Sequence, residues 1–117
     1  MIKRVLLGLL LCSVPLLAQS YTKPIADVTV AGTAVTVFTS TDIVAGNGHP
    51  AATGATCAVS AAAVRLTFDG TTPTTALGYL AAPGQYIISG TSNLLNMQAV
   101  RNSSTSGVLS CVVYSPQ

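Results

Sequence analysis

Between Val64 and Asp69 the side chains alternate, with Val64, Leu66 and Phe68 on one parity and Arg65, Thr67 and Asp69 on the other. A segment with an apolar group at every second position buries one side only as a β-strand, because successive side chains point to opposite faces. Asp69-Gly70 ends that strand, since Gly accepts positive φ and Asp can bond its own backbone two residues on. Pro73 has no N–H to give a sheet, so Thr71 to Thr75 are expected to form a loop crossing the surface.

The same short alternations recur on both sides of this stretch. Tyr21 to Pro24 reads as an extended lead-in. Val28 and Val30 alternate with Asp27, Thr29 and Ala31, and Val35 and Val37 alternate with Thr36 and Phe38. With Gly32-Thr33 between them, the two runs suggest a hairpin. Ile43-Val44 reads as a short edge segment after the break at Ser40-Thr41-Asp42. Ala61-Ala62-Ala63 favours helix by propensity. Cys57 and Val59 nevertheless alternate with their neighbours, so a strand, a tight turn near Ala61-Ala62 and a second strand are expected. Ala76 to Leu80 and Gln85 to Ser89 follow as strands, the latter with Tyr86 and Ile88 on one face and Ile87 on the other. Leu94 to Arg101 and Val108 to Tyr114 complete the set. Turn residues at such intervals are the mark of an all-β fold. The expectation is one antiparallel β-sandwich, or a jelly-roll-like, partly closed barrel, of about eight short strands.

Residues 1–20 are set apart from that domain. Lys3 and Arg4 precede an apolar run, Val5 to Leu17, and Ala18-Gln19-Ser20 supplies the small residues of a cleavage site after Ala18 or Ser20. The run is short beside the roughly 20 residues of a spanning helix. A helical, cleaved signal peptide is therefore expected, with a retained anchor as the alternative, followed by a domain over 21–117 that is secreted or periplasmic. Membrane contact is expected only through that segment. Beyond it the charges are Lys23, Arg65 and Arg101 against Asp27, Asp42 and Asp69, so the formal net charge of +2 resides in the signal. Three scattered cations do not form the clustered surface that phosphate backbones require, and nucleic acid is not expected as a partner.

Cys12 leaves with the signal, and Cys57 and Cys111 remain. Both share parity with neighbouring apolar residues, as a disulfide inside the sandwich requires; two buried thiols that never meet are the alternative. Gly46-Asn47-Gly48-His49-Pro50 gathers turn formers around the only histidine and is the candidate interaction loop. Asp69, Gly70 and Pro73 are assigned to a structural turn. Neither a base-and-nucleophile grouping, a G-x-S-x-G turn nor a metal-ligand spacing is present, so no enzyme, metal or cofactor is expected. Asn102-Ser103-Ser104 matches a glycosylation sequon, a short pattern common by chance.

Phe68-Asp69-Gly70-Thr71-Thr72-Pro73-Thr74, followed by Gly78-Tyr79-Leu80, resembles the "DGT-x-PT … G-x-L" core of small β-sheet proteins encoded among tailed-phage structural genes. Met97-Gln98-Ala99-Val100-Arg101 is similar to the "f-x-A-I-R" strand of that group, and Ser103 to Tyr114 looks like its closing loop and final strand. The likeness spans about Cys57 to Tyr114. It implies a non-catalytic virion component, of capsid-decoration or fibre type, that packs against protein partners or its own copies, with Asp69 and Arg101 as structural markers. An export segment and the Cys57/Cys111 pair depart from the group's pattern. The alternative is an exported ligand-binding module, adhesin-like or glycan-binding.

Overall fold

A computed structural model describes residues 20–44 and 50–116; the segment expected to be a signal, up to Gln19, and the loop residues Gly46, Asn47, Gly48 and His49 lie outside the described residues. In chain order the elements are β1 (Ser20–Pro24), β2 (Val28–Val30), β3 (Val35–Thr36), α1 (Ser40–Ile43), β4 (Gly54–Ser60) and β5 (Val64–Thr67), then β6 (Tyr79–Ala81), β7 (Gly84–Ser89), α2 (Thr91–Leu95), β8 (Gln98–Arg101) and β9 (Gly107–Pro116). They form two antiparallel sheets, a β-sandwich rather than a closed barrel. One sheet runs β1-β9-β4-β7, with β2 also pairing β9, and the other runs β3-β8-β5-β6.

The connections explain why short alternating runs appear so often. Of the strands that follow one another in sequence, only β5 and β6 pair with each other. Most other connections carry the chain from one sheet to the facing one. The hairpin expected from Val28 to Val37 is therefore corrected: β2 pairs with β9, and β3 pairs with β8 across the core. Alternation tells which face of a strand is buried; it does not tell which neighbour supplies the hydrogen bonds. The turn near Ala61 is present, with Ala61 at φ 69°, but it too crosses between sheets. The lead-in at Tyr21–Pro24 is a paired strand, its register running from Ser20 opposite Pro116 to Pro24 opposite Val112.

Rows of opposed residues build the core. Val113, Ala55 and Ile88 form one row across the first sheet, and Cys111, Cys57 and Tyr86 form the next. Val35, Ala99, Leu66 and Tyr79 form a row across the second sheet. The disulfide joins Cys57 to Cys111 within the first sheet, between directly opposed residues whose Cα atoms are 4.1 Å apart. Both cysteines face the core.

Two segments expected to be extended are single helical turns. Ile43 ends α1 rather than forming an edge strand, because the Asp42 carboxylate accepts the Thr39 N–H at 2.9 Å, one arm of a capping box, and Ile43 is buried. Leu94 lies in α2, not at the start of β8. Leu94 and Met97 are both fully buried while Leu95 is exposed, which is helical and not strand spacing. Asn93 Nδ2 donates to the Ser89 carbonyl at 2.8 Å and holds the turn in place.

Candidate interaction surface

The interior rows run out at one side of the sandwich. There β6 is the free edge of one sheet and β7 the free edge of the other, and Ala82-Pro83 carries the chain between them. Each edge leaves backbone N–H and C=O groups without a ladder partner. The apolar groups on this side are not withdrawn from the surface. Ile87 is 77% exposed, Tyr79 59%, Leu77 49% and Leu80 46%.

Between the edges lies a cleft of about 200 Å³ lined by Leu66, Phe68, Tyr79, Tyr86, Ile87 and Ile88. It reaches inward to Leu66 and Ile88, which belong to the core. Tyr79 and Tyr86 meet edge to face across it, ring centres 6.3 Å apart, a favourable aromatic geometry. The Tyr86 hydroxyl donates to the Ala82 carbonyl at 2.6 Å, which orients the ring against the crossing. The alternation expected for Gln85 to Ser89 holds, with Ile88 buried and Ile87 outward.

No residue between Asp69 and Arg101 carries a charge. Free edges in most proteins are blunted by lysines, inward charges or a covering element, which prevent strand addition. Here neither β6 nor β7 carries a lysine or any other charge. The arrangement suits contact with another strand or another apolar surface, and among the described residues there is no cluster of three metal-ligating side chains.

The other candidates fall elsewhere. Pro50 is exposed, and the rest of the proposed Gly46-to-Pro50 loop lies outside the described residues. Asp69 and Gly70 form the expected turn: Asp69 Oδ1 accepts the Thr71 N–H at 3.0 Å, and Gly70 has φ +86°. That backbone N–H, helped by the Thr71 hydroxyl, holds the exposed Asp69 carboxyl below its usual range. The loop crosses the surface as expected, with Thr71, Thr72, Thr74 and Thr75 exposed, but Pro73 turns inward. It is buried, and the loop is tied down where Gln98 Nε2 donates to the Gly70 carbonyl at 3.2 Å and the Thr67 hydroxyl donates to the Thr71 carbonyl. The sequon residue Asn102 is half-buried, its amide oxygen accepting from Arg65 Nε at 2.9 Å.

Nothing in the alternation of the sequence brings Tyr79 and Tyr86 together, although the structure does. The uncharged run that contains both was the available signal. No helix among the described residues is long and apolar enough to cross a membrane, and the disulfide is compatible with an extracellular or periplasmic location. Comparison with models of known protein families, with curated proteins and with solved structures returns no match for the chain.

Proposed function

We propose that this chain is a secreted or periplasmic, non-catalytic structural subunit that works by surface contact, with a second copy of itself as the partner. One observation carries the reading: the exposed apolar residues Tyr79, Leu80 and Ile87 sit on two free, uncharged strand edges, with Leu77 just before the first of them. Edge-to-edge pairing of two copies would continue a sheet through main-chain hydrogen bonds, with side chains from alternate positions filling the cleft. A neutral strand meets its own copy without like-charge repulsion across the new ladder. Export is supported by the apolar run Val5 to Leu17 after Lys3 and Arg4 and by the cross-link. Contact between copies without catalysis agrees with what the resemblance to small virion proteins implies, while export departs from it.

Size-exclusion chromatography with light scattering tests the reading. The wild-type domain is expected to show a mass above that of the monomer, rising with concentration. Ile87→Lys places a charge at the most exposed apolar position of β7 and is expected to return the protein to monomer with its fold intact. A wild type that remains monomeric at every concentration, or an Ile87→Lys variant that assembles like wild type, would remove this surface from the account.

A further inference from the structure

A second hollow, lined by none of the residues of the β6/β7 cleft, has a different chemistry. It is a groove of about 580 Å³ where the Thr-rich loop, the crossing from β2 to β3 and the loop after β8 meet. That volume lies within the roughly 300–1,000 Å³ of small-molecule sites. Its polar wall is made by Thr72, Thr74, Thr75, Ser103, Ser104 and Arg101, and no carboxylate lines it.

The two arginines of the second sheet differ in what they do. Arg65 is committed to the fold, its Nε donating to Asn102 Oδ1 at 2.9 Å and its Nη1 to the Gly78 carbonyl at 3.1 Å. The Arg101 guanidinium has no carboxylate partner among the described residues, where the one ion pair is Lys23–Asp42 at 3.8 Å. A Cβ placed on Gly32 would sit 3.1 Å from Arg101 Nη2, 3.2 Å from Cζ and 3.3 Å from Nε. Nearly equal distances to three atoms of a flat group, well beyond the spacing of those atoms from one another, place that point above the face of the group. Arg101 therefore lies flat on Gly32, where a side chain would press against it. One face of the group rests on Gly32, and the group lines the groove, toward which its N–H edge can donate. That edge is the direction from which a carboxylate takes two parallel hydrogen bonds.

The hydroxyls complete the chemistry. Thr74 Oγ1 accepts from the Ala76 N–H at 3.2 Å, and Ser103 Oγ from the Thr105 N–H at 3.4 Å, so each keeps its own O–H to donate. A fixed cation edge beside groups that both give and accept hydrogen bonds matches an acidic polyol. We infer that this groove binds a carboxylated saccharide, its carboxylate on Arg101 and its ring hydroxyls on the Ser/Thr wall. The site shares no residue with the β6/β7 edges, so either claim can fail without the other.

Chemical-shift titration of ¹⁵N-labelled domain with sodium glucuronate, glucose, acetate and sulfate at fixed ionic strength tests it. Glucuronate is expected to shift amides of residues 31–34, 72–75 and 101–104, with glucose about tenfold weaker for want of the charged partner and acetate about tenfold weaker for want of the ring hydroxyls. Arg101→Gln should weaken glucuronate by at least about tenfold on the same grounds. Thr75→Val, at an exposed position that does not threaten folding, should weaken glucuronate but leave acetate unchanged. No shifts with glucuronate, sulfate binding as tightly as glucuronate, or a Thr75→Val variant that binds both like wild type would overturn the proposal.

Discussion

Replacing Cys57 and Cys111 together by alanine is expected to lower the stability of the domain by roughly 2–5 kcal/mol, the usual cost of losing a native disulfide from a small secreted domain. The bridge joins residues 54 positions apart. For a loop of that length the chain-entropy model gives about 4 kcal/mol, acting mainly on the unfolded chain. Alanine is the better probe than serine, because both cysteines face the core and a hydroxyl there would add the separate cost of an unsatisfied polar group. The pairing of β4 with β9 continues on both sides of the bridge, from Gly54 opposite Tyr114 to Ser60 opposite Val108. The folded sheet should therefore survive, and the far-ultraviolet circular dichroism of the folded variant should match wild type. Thermal unfolding should show the midpoint falling on the order of 10–20 °C for a domain of this size. Reduced wild-type protein should behave like the double variant.

Phe38→Ala is the second large effect. Phe38 is the bulkiest of the fully buried side chains and keeps only 1% of its surface exposed. It sits just past β3, where Val37 N–H donates to the Met97 carbonyl at 3.1 Å and fixes the bend toward α1. Truncation removes a whole ring from between two sheets that cannot close over the gap. The expected loss is about 3–5 kcal/mol, the range for aromatic-to-alanine changes in cores. Urea titration should show a lower midpoint with an unchanged slope, since the surface exposed on unfolding is nearly the same. Ile87→Ala is the matched control. That side chain is 77% exposed, so its removal should stay within about 0.5 kcal/mol.

Phe38 also marks where reading the sequence stops. Alternation places it opposite Val35 and Val37, yet Val37 and Phe38 are both buried. The strand ends at Thr36, and past its end the period no longer applies. Where strands are long enough the pattern is reliable, as in β9, where Leu109, Cys111 and Val113 are inward and Val112 is outward. The pairing of Cys57 with Cys111 is expected from that parity and from the export that the N-terminal segment suggests, and the structure contains it. The partners of β2 and β3 were not legible, because a crossing between facing sheets and a turn within one sheet use the same residues, here Gly32-Thr33. The one-turn helices were hidden for a related reason. A single turn offers too few positions to show a period, and α2 is betrayed only by Leu94 and Met97, three apart and both buried.

The interaction surface was half legible. Ile87 was expected outward and is, but two free edges become a surface only when the fold sets β6 beside β7 at the end of both sheets. The Arg101 groove was not legible at all. Its walls come from three connections far apart in the chain, and only the fold distinguishes Arg101 from Arg65, which is held by Asn102 and Gly78.

Hydrogen exchange across a range of protein concentrations tests the role of the β6/β7 side most directly, because strand addition would protect the edge amides that the isolated domain leaves to water. Deuterium uptake over residues 79–89 is expected to slow as concentration rises, while uptake over β9, already paired on both sides, stays the same. Uptake over residues 79–89 that is identical at every concentration would contradict the account.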